Sequence, residues 1–233
     1  MTDRALARSD GVTFKRSEYK ETWTANSQSS ASARISVAAT ADETELERSG
    51  LATTQFLLEN VGIGREDVVL EIGCGIGRVG KQLAAHCRRW IGADVSPNML
   101  KFAAENLRGL NNVEFVELSG FDLKPIEDDS IDVVYCTVVF PHLSIWDRYS
   151  YIEEAFRVLR SGGKLYVDAV NLCSEAGWEI FQMHRRIPPQ ERVPEMGECS
   201  TPEELKEYLR RAGFGSIESK SGIELVAVWG RKP

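Results

Sequence analysis

The chain reads as an α/β protein: a doubly wound, seven-stranded, mostly parallel sheet with helices on both faces and an antiparallel last strand. Three observations predict this. Short apolar runs alternate with helical segments from Val68 to Asp168, and that alternation is what parallel strands with helical crossovers require. The first run, Val68, Val69, Leu70 and Ile72, is apolar almost throughout, as a strand buried on both faces must be. The chain closes on two short strand-like runs joined by Ser221 and Gly222, a hairpin that a purely parallel sheet would not carry.

Residues 1–45 are set apart as an N-terminal flap or helical segment, and residues 46–233 as the main domain. The Ser/Ala/Thr-rich tract from Thr24 to Thr40 would suit a disordered leader. Phe14, Tyr19 and Trp23 argue instead for a segment that docks on the domain. A helix follows from Glu43, with Leu46, Leu51, Phe56 and Leu58 as candidate core contacts, and Gly62 and Gly64 close it. The strand Val68–Ile72 runs straight into Gly73, Gly75 and Gly77. Three residues without Cβ permit positive φ and let a ligand lie against the backbone. A helix over Val79–Cys87 then turns its unpaired N–H groups towards that turn.

The second strand spans Trp90–Asp94. Ser96 caps the next helix and Pro97 opens it. Val113–Glu117 is the third strand and Ile131–Cys136 the fourth. A helix from about Trp146 to Leu159 finds a C-cap signal in Ser161, Gly162 and Gly163, before a fifth strand over Lys164–Asp168. Residues 171–200 break the alternation as an insertion, with one helix over Trp178–Arg185 and an irregular proline-rich stretch from Ile187 to Pro194. Such segments are where a fold places specificity. Thr201–Gly213 carries a cap, an early proline, acids in its first turn, bases in its last and a terminal glycine, all signals of a helix. Strands around Ser216–Lys220 and Ile223–Trp229 finish the chain.

The 233 residues, 42% hydrophobic, suffice for one core. A net charge of −7 argues against a phosphate-backbone binder, although His184, Arg185, Arg186 and Arg192 form a local basic cluster. The five cysteines, Cys74, Cys87, Cys136, Cys173 and Cys199, are scattered and include no C-x-x-C pair. Neither a zinc knuckle nor a disulfide framework is indicated, and free thiols in the cytoplasm are the simplest reading. No apolar run approaches the roughly 20 residues of a membrane helix, and Met1–Arg8 lacks a signal-peptide core. A cytoplasmic monomer or homodimer that binds neither nucleic acid nor membrane is expected.

Gly75, Gly77 and Gly80 match the dinucleotide fingerprint G-x-G-x-x-G literally. The strand ends near Ile72, however, so the turn starts at Gly73. Counted from Glu71 the pattern is E-x-G-x-G-x-G, which resembles the first motif of class I S-adenosylmethionine (SAM) methyltransferases. The resemblance covers roughly residues 45–170 and the unit from Thr201. It implies a Rossmann-like fold, SAM as cofactor, S-adenosylhomocysteine as product and no metal.

The resemblance also implies roles. Gly73, Cys74, Gly75 and Gly77 would approach the ribose and methionine, and Glu71 would orient the amino end of SAM. Asp94 would accept from both ribose hydroxyls, with helix capping as its alternative role. Val95 and Met99 would line the adenine face. Gly120, Phe121 and Asp122 fall in the loop that flanks adenine, where Phe121 could stack and Asp122 accept from the exocyclic amine. Cys136 and Thr137 stand at the carboxyl end of the fourth strand, where ligands lie in open α/β sheets.

His142 is the candidate general base, with a packed or hydrogen-bonded histidine as the bland alternative. Tyr19, Trp23, Phe140, Asn171, His184 and Arg185 are candidates for the acceptor side, covered by residues 171–200. Nucleobase enzymes carry Asn/Asp-Pro-Pro-aromatic after the fourth strand, which Thr137–Pro141 lacks. Metal-dependent catechol-type enzymes need an acid where Cys136 stands, and arsenite-type enzymes need clustered thiols. The expected activity is methyl transfer to oxygen or nitrogen of a small molecule. A protein or peptide methyltransferase, an NAD(P)-binding oxidoreductase and a non-catalytic SAM-binding protein are the alternatives.

Overall fold

The structure is a computed structural model that describes residue 15 and residues 17–233. Phe14 and the stretch Met1–Arg8 lie outside the described residues. Nineteen residues into the chain, α1 (Tyr19–Ala25) begins, followed by α2 (Ser30–Ala38) and α3 (Glu43–Phe56). Ser29 caps α2 through a reciprocal box with Ser32, and Asp42 accepts from the Thr44 and Glu45 amides of α3, so these two helix starts have first-turn donors satisfied. The last turn of α3 widens over Leu57–Val61 and stops at Gly62.

The sheet then builds through β1 (Val68–Ile72), β2 (Arg89–Asp94), β3 (Val113–Glu117), β4 (Ile131–Cys136), β5 (Leu159–Asn171), β6 (Cys199–Ser200), β7 (Gly215–Ser221) and β8 (Leu225–Arg231). Between them lie α4 (Gly80–Leu83), α5 (Pro97–Asn106), α6 (Ile145–Val158), α7 (Glu175–Arg185) and α8 (Pro202–Ala212). The strand order is β3-β2-β1-β4-β5-β8-β7, with the short β6 paired to the end of β5. Every pairing is parallel except those of β8, which alone runs against the rest. The order reverses between β1 and β4, and a crevice for ligands opens beyond the carboxyl ends of strands at such a switch point.

Two apolar layers explain why β1 is buried at all five positions. Val68, Leu70 and Ile72 pack on one face with Ile152 and Ala155 of α6 and Leu205 and Leu209 of α8. Val69 packs on the other with Leu57, Val61, Leu83 and Trp90. Each buried aliphatic contributes about 1.5–3 kcal/mol of transfer free energy. Among the described residues, no helix is long and apolar enough to cross a membrane.

Several expectations need correction. The helix after the glycine turn is only α4 and one tighter turn, Ala84–His86, so its dipole is slight. Leu51 is 57% exposed, because α3 turns Leu46, Gly50 and Thr54 inward, a stripe spaced by four that excludes position 51. Ser161, Gly162 and Gly163 do not cap α6. Leu159 is already extended, and Gly162, at φ 80°, sits in an irregular stretch of β5 where its N–H meets the Lys232 carbonyl. β6 adds an eighth strand that the sequence did not signal.

Candidate active site

The crevice at the switch point is walled by the glycine turn. Gly73, Gly75 and Gly77 all take positive φ, at 72°, 53° and 76°. A Cβ on Gly73 would lie 2.3 Å from Val139 Cγ2, and one on Gly75 would lie 2.7 Å from Val37 Cγ2. Both glycines, with Cys74 between them, line the cavity. Gly77 does not; a Cβ there would meet Leu107 Cδ1 at 2.5 Å, so this glycine admits α5 rather than a ligand. The amides of Gly73 and Cys74 bond to the Ala93 carbonyl, which straps the turn to β2.

Asp94 completes that strap. One carboxylate oxygen accepts from Gly75 N–H and the other from Ser96 N–H, each at 2.8 Å. Ser96, rather than Asp94, caps α5 by accepting from Met99 N–H. Burial pushes the Asp94 carboxyl up to about 6. Glu71 sits beside Tyr135 in the register of β1 and β4 and accepts a hydrogen bond from its hydroxyl. Trp90 Nε1 donates to that same hydroxyl at 3.0 Å. Burial pushes Glu71 up to about 8, against the pull of the Tyr135 hydrogen bond and the charge of Arg78. A cation placed beside this acid would favour its ionised form and draw off its proton.

Arg78, which the motif reasoning passed over, lines the cavity too. Its Nε is buried without a hydrogen-bond partner, an arrangement suited to an anionic ligand group. Its only sequence signal was adjacency to Gly77. On the opposite side Val95, Met99, Leu118 and Gly120 form an apolar wall. Phe121 and Asp122 stand outside it. Gly120, at φ 104°, turns the chain outward, leaving Phe121 47% exposed against Tyr19. Asp122 bonds to Ser119 and Lys124, and the Lys124 ammonium holds its carboxyl below the usual range.

The far wall is Thr137, Val138, Val139, His142 and Leu143. Cys136 is fully buried behind it, and burial raises its thiol well above the ordinary value. Asp168, taken from sequence only as the end of a strand, organises this turn. It accepts from Thr137 Oγ1 at 2.8 Å, Val138 N–H at 2.6 Å and the Tyr166 hydroxyl at 2.9 Å. His142 lines the cavity with its ring edge-on to Trp23, 4.8 Å between centroids, and its Nδ1 lies 2.7 Å from the Glu195 carbonyl. The fully buried Arg148 braces the same turn, donating to the carbonyls of Phe140 and Glu198.

Tyr19, Trp23, Ser36 and Val37 roof the cavity from α1 and α2. The Tyr19 hydroxyl donates to Asp147 at 2.6 Å and accepts from Ser144 N–H at 3.1 Å, and the buried pair Ser27–Ser96 ties the same segment to α5. The other acceptor-side candidates lie elsewhere. Phe140 is core. Asn171 is buried and accepts from Cys173 N–H, finishing β5. His184 and Arg185 line a second cavity within the insertion. Chemically, the main cavity offers a buried acid pair, a glycine cradle, an apolar slot and a histidine opposite the cradle.

Residues 70–167 match the family model described as a methyltransferase domain. A human thiol S-methyltransferase is 29% identical over 64% of this chain and 61% of its own length, so the chain spans less than two thirds of that relative. A demethylmenaquinone methyltransferase from Clavibacter sepedonicus is 27% identical over 73% of both chains. The crystal structure of magnesium protoporphyrin IX methyltransferase from Synechocystis, with bound S-adenosylhomocysteine, superposes with a TM-score of 0.61 at 15% identity, covering 80% of this chain and 83% of that one.

Proposed function

We propose that this chain acts as a class I SAM-dependent methyltransferase that methylates an oxygen or nitrogen of a small, partly apolar acceptor, with His142 taking the proton. The roof carries the reading. Tyr19, Trp23, Ser36 and Val37 cover the glycine cradle, and a covered cavity favours a small molecule over a peptide strand.

The lining fits the cofactor. Asp94 would hold the ribose hydroxyls, Val95, Met99 and Leu118 the adenine, and Gly73 and Gly75 the space along its chain. Glu71 would take the ammonium end, and the unpartnered Nε of Arg78 the carboxylate. When bound, SAM supplies a methyl group on a sulfonium, open to in-line attack by a lone pair. Thr137, Val138, Val139 and Leu143 would shape the acceptor's approach and exclude water. The Glu195 carbonyl accepts at His142 Nδ1, which in the neutral ring puts the lone pair on Nε2 and suits it to proton removal. The described part of residues 1–45 would act as the roof, and 171–200 would cover the acceptor side from behind the His142 turn.

The test is calorimetric titration with S-adenosylhomocysteine, then a turnover screen of small alcohols, phenols, amines and thiols with SAM. The reading expects methylated alcohols, phenols or amines. His142→Ala would lower kcat by about 10²–10⁴-fold and leave S-adenosylhomocysteine affinity unchanged. Turnover of thiols alone would replace the O/N assignment, and full activity in His142→Ala would remove the base.

A further inference from the structure

Trp90 is wholly buried on β2, and two glycines make room for it. A Cβ on Gly80 or on Gly92 would run into its indole ring. Gly80 is the last glycine of the literal dinucleotide fingerprint, and its work in the fold is to admit this indole. Gly92 stands beside Glu71 in the register of β1 and β2, and Tyr135 stands on the other side of Glu71 in the register of β1 and β4. The indole therefore reaches across β1, where Nε1 meets the Tyr135 hydroxyl at 3.0 Å.

The relay has one direction. An indole N–H only donates, and a phenol has a single proton to give. The Tyr135 hydroxyl accepts from Trp90 and turns its proton to Glu71 Oε2. Oε2 is thereby held as an acceptor. In a protonated carboxyl the carbonyl oxygen is the better acceptor, so the proton that burial favours on Glu71 falls to Oε1. Both donors work against burial and the charge of Asp94, and favour the ionised acid. Glu71 lines the cavity at 2% exposure, and Oε1 has no hydrogen-bond partner among the described residues. A buried polar atom left in that state is a place for a donor from a ligand.

We propose that Trp90 and Tyr135 are positioning residues of the cofactor site: their relay holds Glu71 Oε2 and so presents Oε1 as the acceptor for the ammonium end of SAM. The inference rests on the assignment of Glu71 to that end. Neither Trp90 nor Tyr135 lines the cavity, so both act through Glu71. The arriving ammonium donates to Oε1, the proton held there leaves to solvent, and the relay keeps its partners.

Calorimetric titrations of the full chain with S-adenosylhomocysteine and, separately, with methylthioadenosine test this. The second ligand is the same thioether nucleoside without the amino-acid end. Tyr135→Phe keeps the ring and removes the hydroxyl. It is expected to weaken S-adenosylhomocysteine by about tenfold or more and to leave methylthioadenosine unchanged. Trp90→Phe removes only the far donor and is expected to show the same split at smaller size, which keeps the proposal readable where Tyr135→Phe folds poorly. Equal loss of both ligands in the variants, as a purely structural role would give, overturns the proposal, and so does no loss of either. Failure of the underlying reading registers in wild type instead. Equal affinity for the two ligands there removes the ammonium from Glu71, binding of neither removes the cofactor, and either result takes the relay with it.

Discussion

Val138 and Asp168 are joined by a 2.6 Å hydrogen bond from amide N–H to carboxylate, which holds a β-branched residue at φ 58°. That region of backbone space is costly for valine. The strain persists because Asp168 also grips Thr137 and Tyr166 and so over-determines the turn. Through this turn, an acid at the end of β5 shapes the wall that faces the glycine cradle.

Asp168→Asn weakens all three bonds and is expected to destabilise the fold by about 1–3 kcal/mol. Adding Val138→Gly recovers part of the loss, because glycine adopts positive φ freely. Urea denaturation of the single and double variants checks this. No recovery in the double variant would place the strain elsewhere.

Burial raises Glu71 to about 8 from 4.5 and Asp94 to about 6 from 3.8. Over those intervals the folded protein keeps protons that the unfolded chain sheds. Stability of the ligand-free protein therefore falls as pH rises, beginning near the lower values and ending above about 8. Glu71→Gln flattens the upper part of the thermal-midpoint profile. An ammonium placed at Glu71 expels its proton, so S-adenosylhomocysteine binding near neutral pH releases a proton in wild type and none in Glu71→Gln. Calorimetry in buffers of different ionisation enthalpy reads that difference.

Gly73→Ala and Gly77→Ala are expected to fail differently. The first drives a methyl group into Val139 at the cavity, and S-adenosylhomocysteine affinity drops with stability. The second strikes Leu107 away from the cavity, and only stability drops. Leu107→Ala in the same chain then makes room and relieves part of the cost, as melting curves would record.

Tyr19→Phe deletes a hydroxyl that joins α1 to Ser144 and Asp147. At about 1 kcal/mol for the lost bonding, S-adenosylhomocysteine should dissociate about fivefold faster. Stopped-flow dissociation measures this directly, and an unchanged rate would show that the roof does not gate the cofactor.

The legible part of this molecule was local. The apolar run of β1, the glycines after it and the acid ending β2 lie close together in sequence, and each has a backbone reason to be there. Long-range roles were not legible. Asp168 works on a turn 30 residues earlier, and the third glycine serves α5. Phe121 and Asp122 were expected at the cavity, but one positive φ at Gly120 faces them outward. His184 and Arg185 end α7, and which cavity they line depended on how Glu195 to Glu198 dock on the β4 side.

Tyr19 reaches partners 125 and 128 positions along the chain. Contacts of that span form late, because the chain between them must first be organised. α1 thus lacks the α6 side of its docking surface until that helix is in place. It joins a finished domain as its last piece and leaves as its first. Slow hydrogen exchange in the β-strands and fast exchange in α1 would be the outward sign of that order.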